Sequence, residues 1–82
     1  MSYYVYMLKS IGKKSVTYVG YTKDLKERLK LHNSSKGAKF TKGKKWKIIY
    51  SKRYNSKSVA MKEEYLLKKN FKKRNIIKSK FV

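Results

Sequence analysis

The pattern that most restricts this chain lies at its N-terminus. Two β-branched and aromatic runs, Tyr3-Tyr4-Val5-Tyr6-Met7-Leu8 and Val16-Thr17-Tyr18-Val19-Gly20-Tyr21, flank the turn signal Gly12-Lys13-Lys14. Residues of that kind favour the pleated, half-buried surface of a strand, and a glycine-bearing break between two such runs reads as a β-hairpin. With the turn centred near Gly12, paired residues sum to about 24. Tyr6 then faces Tyr18, and Tyr4, Tyr6, Tyr18 and Gly20 share one face of the pleat.

A hairpin alone is marginal in water, so the rest of the chain must cover it. Asp24 followed three residues later by Glu27 forms a capping-box pattern, and Leu25 and Leu29 mark a helix running to about Asn33. On that helix Arg28 and His32 are four residues apart and share the face bearing Leu25 and Leu29. Residues 34–45 have no apolar period and two glycines, which predicts a loop. Trp46 to Tyr54 reads as a third strand. Ser58 then opens a second helix to about Phe71, with an apolar stripe of Val59, Ala60, Leu66, Leu67 and Phe71. Ile76, Ile77 and Phe81 keep helical spacing in the tail from Lys72 to Val82, giving a short third helix. The expectation is an α+β fold of order β-β-α-β-α-α, a single domain over residues 1–82.

Charge limits the partners. There are 24 Lys+Arg against 4 Asp+Glu in 82 residues, a formal net charge of +20. A surface of that sign meets polyanions, and lysines scattered through every segment fit nucleic acid better than an anionic membrane. With 40% hydrophobic and 15% aromatic residues the chain is too apolar for a disordered basic tail. No run approaches the roughly 20 apolar residues that span a bilayer, and no signal-peptide core is visible. The expected location is cytoplasmic or nucleoid-associated.

The same composition prunes the chemistry. Without cysteine there is no disulfide, thiolate metal site or Cys nucleophile, and one histidine excludes a site built on two imidazoles. Asp24 and His32 lie about 12 Å apart along one helix, which rules out a Ser-His-Asp triad. Asp24 and Glu27 are explained by capping, so a divalent metal must use Glu63 or Glu64. That allows one ion and argues against a two-metal site. Helical periodicity leaves Glu63 and Glu64 open, and either is equally well read as an exposed acid paired with a lysine. Arg28 beside His32 suits a phosphoryl group, because a guanidinium presents a planar fork. A tyrosine can serve as general base where neighbouring cations favour its phenolate.

Tyr4-Val5-Tyr6, Tyr18-Val19-Gly20, Leu25-x-x-Arg28-x-x-x-His32-Asn33, Gly37-Ala38-Lys39-Phe40-Thr41 and Ala60-Met61-Lys62-Glu63-Glu64 together resemble the GIY-YIG nuclease superfamily. The likeness covers roughly residues 3–71. The chain resembles in particular short stand-alone bacterial-type members related to the structure-specific Slx1-like nucleases. The resemblance implies a three-stranded antiparallel sheet flanked by helices and a metal-dependent endonuclease acting on DNA, with branched or repair-type structures among the candidate substrates.

It implies that one of Tyr6 and Tyr18 is the general base and the other orients the attack, with Tyr6 favoured as the base, Arg28 neutralising phosphate charge and His32 beside the nucleophile. Its Ala-x-x-x-Glu spacing selects Glu64 as the ligand of one Mg²⁺ or Mn²⁺. Gly20 would permit close approach of the substrate, and Lys36, Lys39, Thr41, Lys42, Lys44 and Lys45 would contact nucleic acid. Tyr4 stands where the motif has its first glycine, valine replaces isoleucine in both tripeptides, and Lys42 stands where many relatives carry arginine. Two other functions fit the same size and charge. One is a non-catalytic nucleic-acid binder of ribosomal or chromatin type; the other is a nuclease module that needs a protein partner for specificity.

Overall fold

In the computed structural model, which describes residues 2–12 and 15–80, β1 (Tyr3–Ser10) is the central strand of a three-stranded sheet ordered β2-β1-β3. β2 spans Thr17–Thr22 and β3 spans Trp46–Tyr54, both antiparallel to β1. The centre falls to β1 because four consecutive residues, Val5, Tyr6, Met7 and Leu8, are buried, which requires cover on both faces. One face packs Val5, Met7, Val19 and Ile49 against Ala60, Leu67 and Ile77. The other gathers Tyr6, Leu8 and Trp46 with Tyr18, Leu25, Leu29 and Ile48.

The hairpin register differs from the sequence expectation by two residues. Tyr6 pairs with Gly20 and Leu8 with Tyr18, so paired numbers sum to 26. Ser10 N–H donates to the Val16 carbonyl at 2.9 Å, which centres the connection on position 13. Lys13 and Lys14 of the expected turn lie outside the described residues. An even shift preserves side-chain parity, so Tyr4, Tyr6, Tyr18 and Gly20 still share a face. A bulge between Met7 and Leu8 leaves Ile49 as the extra residue of β3. Trp46 and Ile48 therefore join the Tyr6 cluster, while Ile49 and Tyr50 serve the opposite core.

The helices α1 (Leu25–Asn33), α2 (Lys57–Lys69) and α3 (Phe71–Ser79) complete the chain. Asp24 caps α1 by accepting from Glu27 N–H at 3.1 Å. The Asp24 N–H donates to Thr22 Oγ1 at 3.2 Å, a bond the capping-box pattern would have given to Glu27. Ser56, not Ser58, caps α2. Asn70 ends α2 and caps α3 through Oδ1, which accepts from Lys73 N–H at 3.0 Å, so the second helix stops short of Phe71. The buried line of α2 is also narrower than expected, holding Ala60 and Leu67. A helix lying on so narrow a sheet buries one line of contact, and Val59, Leu66 and Phe71 fall outside it. Phe81 and Val82 of the expected third helix lie outside the described residues. Among the described residues no helix is long and apolar enough to cross a membrane.

Candidate active site

The pairing of Tyr6 with Gly20 fixes the centre of the site. The Tyr6 ring lies across Gly20, where a Cβ would fall 2.6 Å from the phenol oxygen and 2.8 Å from Cζ. The glycine expected to admit substrate instead admits Tyr6; Gly20 is itself buried. From there the Tyr6 hydroxyl reaches the His32 Nε2 at 2.9 Å. His32 is fully buried, although it stands in the last turn of a helix whose other residues are half-buried or exposed.

The other ring nitrogen fixes the proton. His32 Nδ1 lies 2.8 Å from Thr41 Oγ1, and that hydroxyl donates to the Ala38 carbonyl at 2.9 Å. With its only proton so placed, Thr41 Oγ1 accepts from Nδ1–H, which leaves Nε2 as an acceptor for the Tyr6 hydroxyl. Thr41 itself is fully exposed to none of the solvent, at 0%. The expectation that it contacts nucleic acid is therefore corrected: it lies beneath the site and orients the imidazole. Its carbonyl accepts from Trp46 Nε1–H at 3.0 Å, which ties the loop to β3. Gly37 packs directly on the His32 ring, with no room for a Cβ.

Electrostatics keep this pair neutral. Burial, and then the Arg28 guanidinium, hold His32 below its ordinary 6.5. Burial, and then Tyr18, push the Tyr6 phenol well above its ordinary 10.0; Arg28 works in the opposite direction by charge and by a hydrogen bond, and Glu64 adds to the rise. The resting arrangement is a neutral phenol donating to a neutral imidazole, so Tyr6 is not a standing phenolate. Such a pair can take a proton at the phenol oxygen while passing its own to Nε2.

The remaining residues surround it. The Tyr18 ring centroid is 6.4 Å from that of Tyr6 and 5.0 Å from that of His32. Arg28 stands one turn before His32 on α1. Glu64 is within electrostatic reach of Tyr6 and forms an i,i+4 ion pair with Lys68 at 3.1 Å. Glu63 lies elsewhere: after burial, its charge helps to raise the Tyr54 phenol, and it lines a cleft with Tyr50 and Tyr54. Among the described residues no three His, Cys, Asp or Glu side chains group as a metal site. Glu64 alone fits a hard cation that keeps several waters and completes its shell with substrate oxygens.

The loop lysines divide. Lys36, Lys39 and Lys42 are exposed and line a cleft of about 240 Å³ with Ser35, Gly37 and Ala38. Lys44 is exposed. Lys45 Nζ donates to the Asn33 carbonyl at 3.1 Å and so clamps the end of α1. Asn33, which the sequence motif contains but to which sequence reasoning gave no role, bonds both the N–H and the carbonyl of Trp46 with its side-chain amide. A lone Thr and a lone Asn among lysines carry no periodic signal, and only the fold gives them partners.

Comparison with known proteins places these residues in a wider group. Residues 2–78 match the profile of the GIY-YIG catalytic domain. A UPF0213 protein of Oceanobacillus iheyensis is 42% identical over 67 residues, covering 80% of this chain and 76% of the relative. One from Streptococcus agalactiae is 44% identical over 66 residues, 79% of this chain and 73% of the relative. The solution NMR structure of a UPF0213 protein from Bacillus halodurans is similar at a TM-score of 0.55 and 37% identity, over 98% of this chain and 86% of that one.

Proposed function

This chain belongs to the GIY-YIG catalytic-domain family, whose fold is that of a nuclease, and from that premise we propose that it hydrolyses phosphodiester bonds in DNA with one divalent metal ion. The observation that carries the proposal is the buried Tyr6–His32 hydrogen bond, set beside Arg28 and Glu64.

A water molecule attacks the phosphorus in line with the 3′ oxygen, so that the new P–O bond forms as the P–O3′ bond breaks and the departing 3′ oxygen takes a proton from solvent. As it does so, the Tyr6 oxygen takes the water proton and the Tyr6 proton moves to His32 Nε2, leaving an imidazolium held through Nδ1 by Thr41. Because the transfer is concerted, the raised phenol need not ionise first. Tyr18 orients the attack. Arg28 presents two N–H groups to the non-bridging oxygens, where negative charge grows in the transition state. Glu64 would hold Mg²⁺ or Mn²⁺, which when bound supplies Lewis-acid stabilisation of the phosphate and the leaving oxygen. Lys68 pairs with one oxygen of Glu64, which leaves the other for the ion, and stands close enough to the site to meet phosphate. Lys36, Lys39, Lys42 and Lys44 supply sequence-independent grip, with affinity that falls steeply as salt rises. Phosphate contacts do not read bases, so selection among flaps, branches and other repair-type structures falls to DNA shape or to a protein partner.

The test is cleavage of labelled linear, nicked, flapped and branched DNA at low salt with Mg²⁺ or Mn²⁺, by the wild type, Arg28→Ala and Glu64→Ala. The expected result is cleavage by the wild type alone, with binding retained by all three. No cleavage by any, with equal binding, would replace the enzyme by a non-catalytic nucleic-acid binder.

A further inference from the structure

Beside Tyr18 there is a second, smaller recess that the hydrolytic scheme does not use. Thr17, Tyr18, Val19, Phe40, Lys68 and Arg74 line a cleft of about 210 Å³. We propose that this cleft is a stacking subsite for one unpaired nucleobase next to the scissile phosphate, with Phe40 as its platform. The inference rests on the nuclease reading and narrows its substrate to DNA carrying an unpaired nucleotide at the cleavage point.

Exposure alone would not single out Phe40. It is 55% exposed, but Phe71 at 63% and Ile76 at 58% are as open. What distinguishes Phe40 is how it is held and what it faces. Its ring lies nearly parallel to Tyr18, at 22° with centroids 6.1 Å apart, and is tilted by 39° on Trp46 at 6.3 Å. Two aromatic neighbours fix its orientation while more than half of it stays open to solvent. An aromatic face so presented suits a base, because every base has a π-face.

The cleft also carries the right charge. Lys68 and Arg74 stand among its lining residues, so a stacked base would have cations for its flanking phosphates. Arg74 Nε is buried without a hydrogen-bond partner among the described residues, while the guanidinium lies 5.6 Å over the Phe71 ring. An unsatisfied buried donor beside a cleft is a place for a ligand acceptor. Lys68 also reaches Glu64 at 3.1 Å, and Tyr18 touches both His32 and Phe40. The nucleotide in the cleft is therefore a neighbour of the phosphate at Arg28 and Glu64. A recess of this size, below the usual 300–1,000 Å³ of small-molecule pockets, matches one planar ring. Bases within a duplex have both faces covered by their neighbours, so the occupant must be unpaired.

The experiment is binding of a short single strand containing 2-aminopurine, and of a duplex of the same length, with EDTA present so that no cleavage is needed. Wild type is expected to quench the 2-aminopurine. Phe40→Ala is expected to weaken single-strand binding about tenfold and leave duplex affinity unchanged within about twofold. Phe40→Trp should restore both quenching and affinity, and Phe40→Leu, which keeps apolar bulk without a π-face, should lose single-strand affinity and quenching and takes the place of Phe40→Ala if thermal melts show the alanine variant unfolded. Equal loss on single strand and duplex, or quenching that survives Phe40→Leu, overturns the subsite. A wild type that quenches and yet cleaves nothing removes the nuclease reading and leaves the stacking result standing.

Discussion

Replacing Thr41 by valine should damage both stability and chemistry through one hydroxyl. Thr41 Oγ1 accepts from His32 Nδ1–H at 2.8 Å and from Ala38 N–H at 3.2 Å, and donates to the Ala38 carbonyl at 2.9 Å. Valine fills the space but accepts nothing. The Ala38 carbonyl keeps its bond from Thr41 N–H at 3.2 Å, so two donors lose their acceptor. A buried orphan costs about 1–3 kcal/mol, and the Ala38 amide is only partly buried, so the total is about 2–4 kcal/mol. In a domain this small that corresponds to a fall in Tm of about 8–32 °C. The imidazole also loses what fixes its tautomer; with the proton on Nε2 the Tyr6–His32 bond reverses and the relay has no acceptor. Thermal unfolding by circular dichroism reads the first effect. Nitrogen chemical shifts of the ring read the second without ambiguity, because the sequence has a single histidine. Thr41→Ser keeps the hydroxyl and should lose only about 1 kcal/mol for its methyl group. A valine variant melting within about 2 °C of wild type, with Nδ1 still protonated, would refute the reasoning.

Other perturbations follow from the same geometry. Gly20→Ala places a methyl 2.6 Å from the Tyr6 oxygen, so single-turnover cleavage should fall at least about tenfold as the ring is pushed off His32; unchanged cleavage would show that the phenol position does not matter. Burial and Arg28 depress the His32 pKa, so the unfolded chain takes up a proton below pH 6.5 that the folded chain refuses. Stability should therefore be full above 6.5 and decline as pH falls toward the folded value, and urea melts should show that decline flattened in His32→Gln. Glu64→Gln removes one i,i+4 ion pair with a half-exposed lysine, worth about 0.3–0.5 kcal/mol. Its Tm should barely move while cleavage is abolished, and a large loss of stability would make Glu64 a structural residue.

How much of this was legible beforehand depends on whether the signal was local. Strand runs, the Asp24 cap and the extent of β3 were readable because β-branched and aromatic clusters and cap residues act within a few positions. The parity that joins Tyr6, Tyr18 and Gly20 survived a register error because side chains alternate with a period of two, whereas the pairing itself depended on the length of the turn. The helix break at Asn70 was missed because the apolar spacing continues across it and one side-chain cap decides the matter. Thr41 and Gly20 were assigned to substrate because their partners, His32 and Tyr6, are distant in sequence or across a strand. The choice of Glu64 came from resemblance; periodicity alone left Glu63 equal, and the fold separates them by placing Glu64 within reach of Tyr6 and Glu63 within reach of Tyr54.

The central claim is that Tyr6 receives the proton of the attacking water and hands its own to His32. Single-turnover cleavage by Tyr6→Phe and Tyr18→Phe, at saturating metal and DNA and across pH, tests it most directly. The account predicts that Tyr6→Phe is slower than wild type by at least about 10²-fold, with DNA binding intact. It also predicts a wild-type rate that falls as acid protonates His32, below its ordinary 6.5. A Tyr6→Phe enzyme that cleaves at the wild-type rate, with the loss appearing in Tyr18→Phe instead, would contradict it.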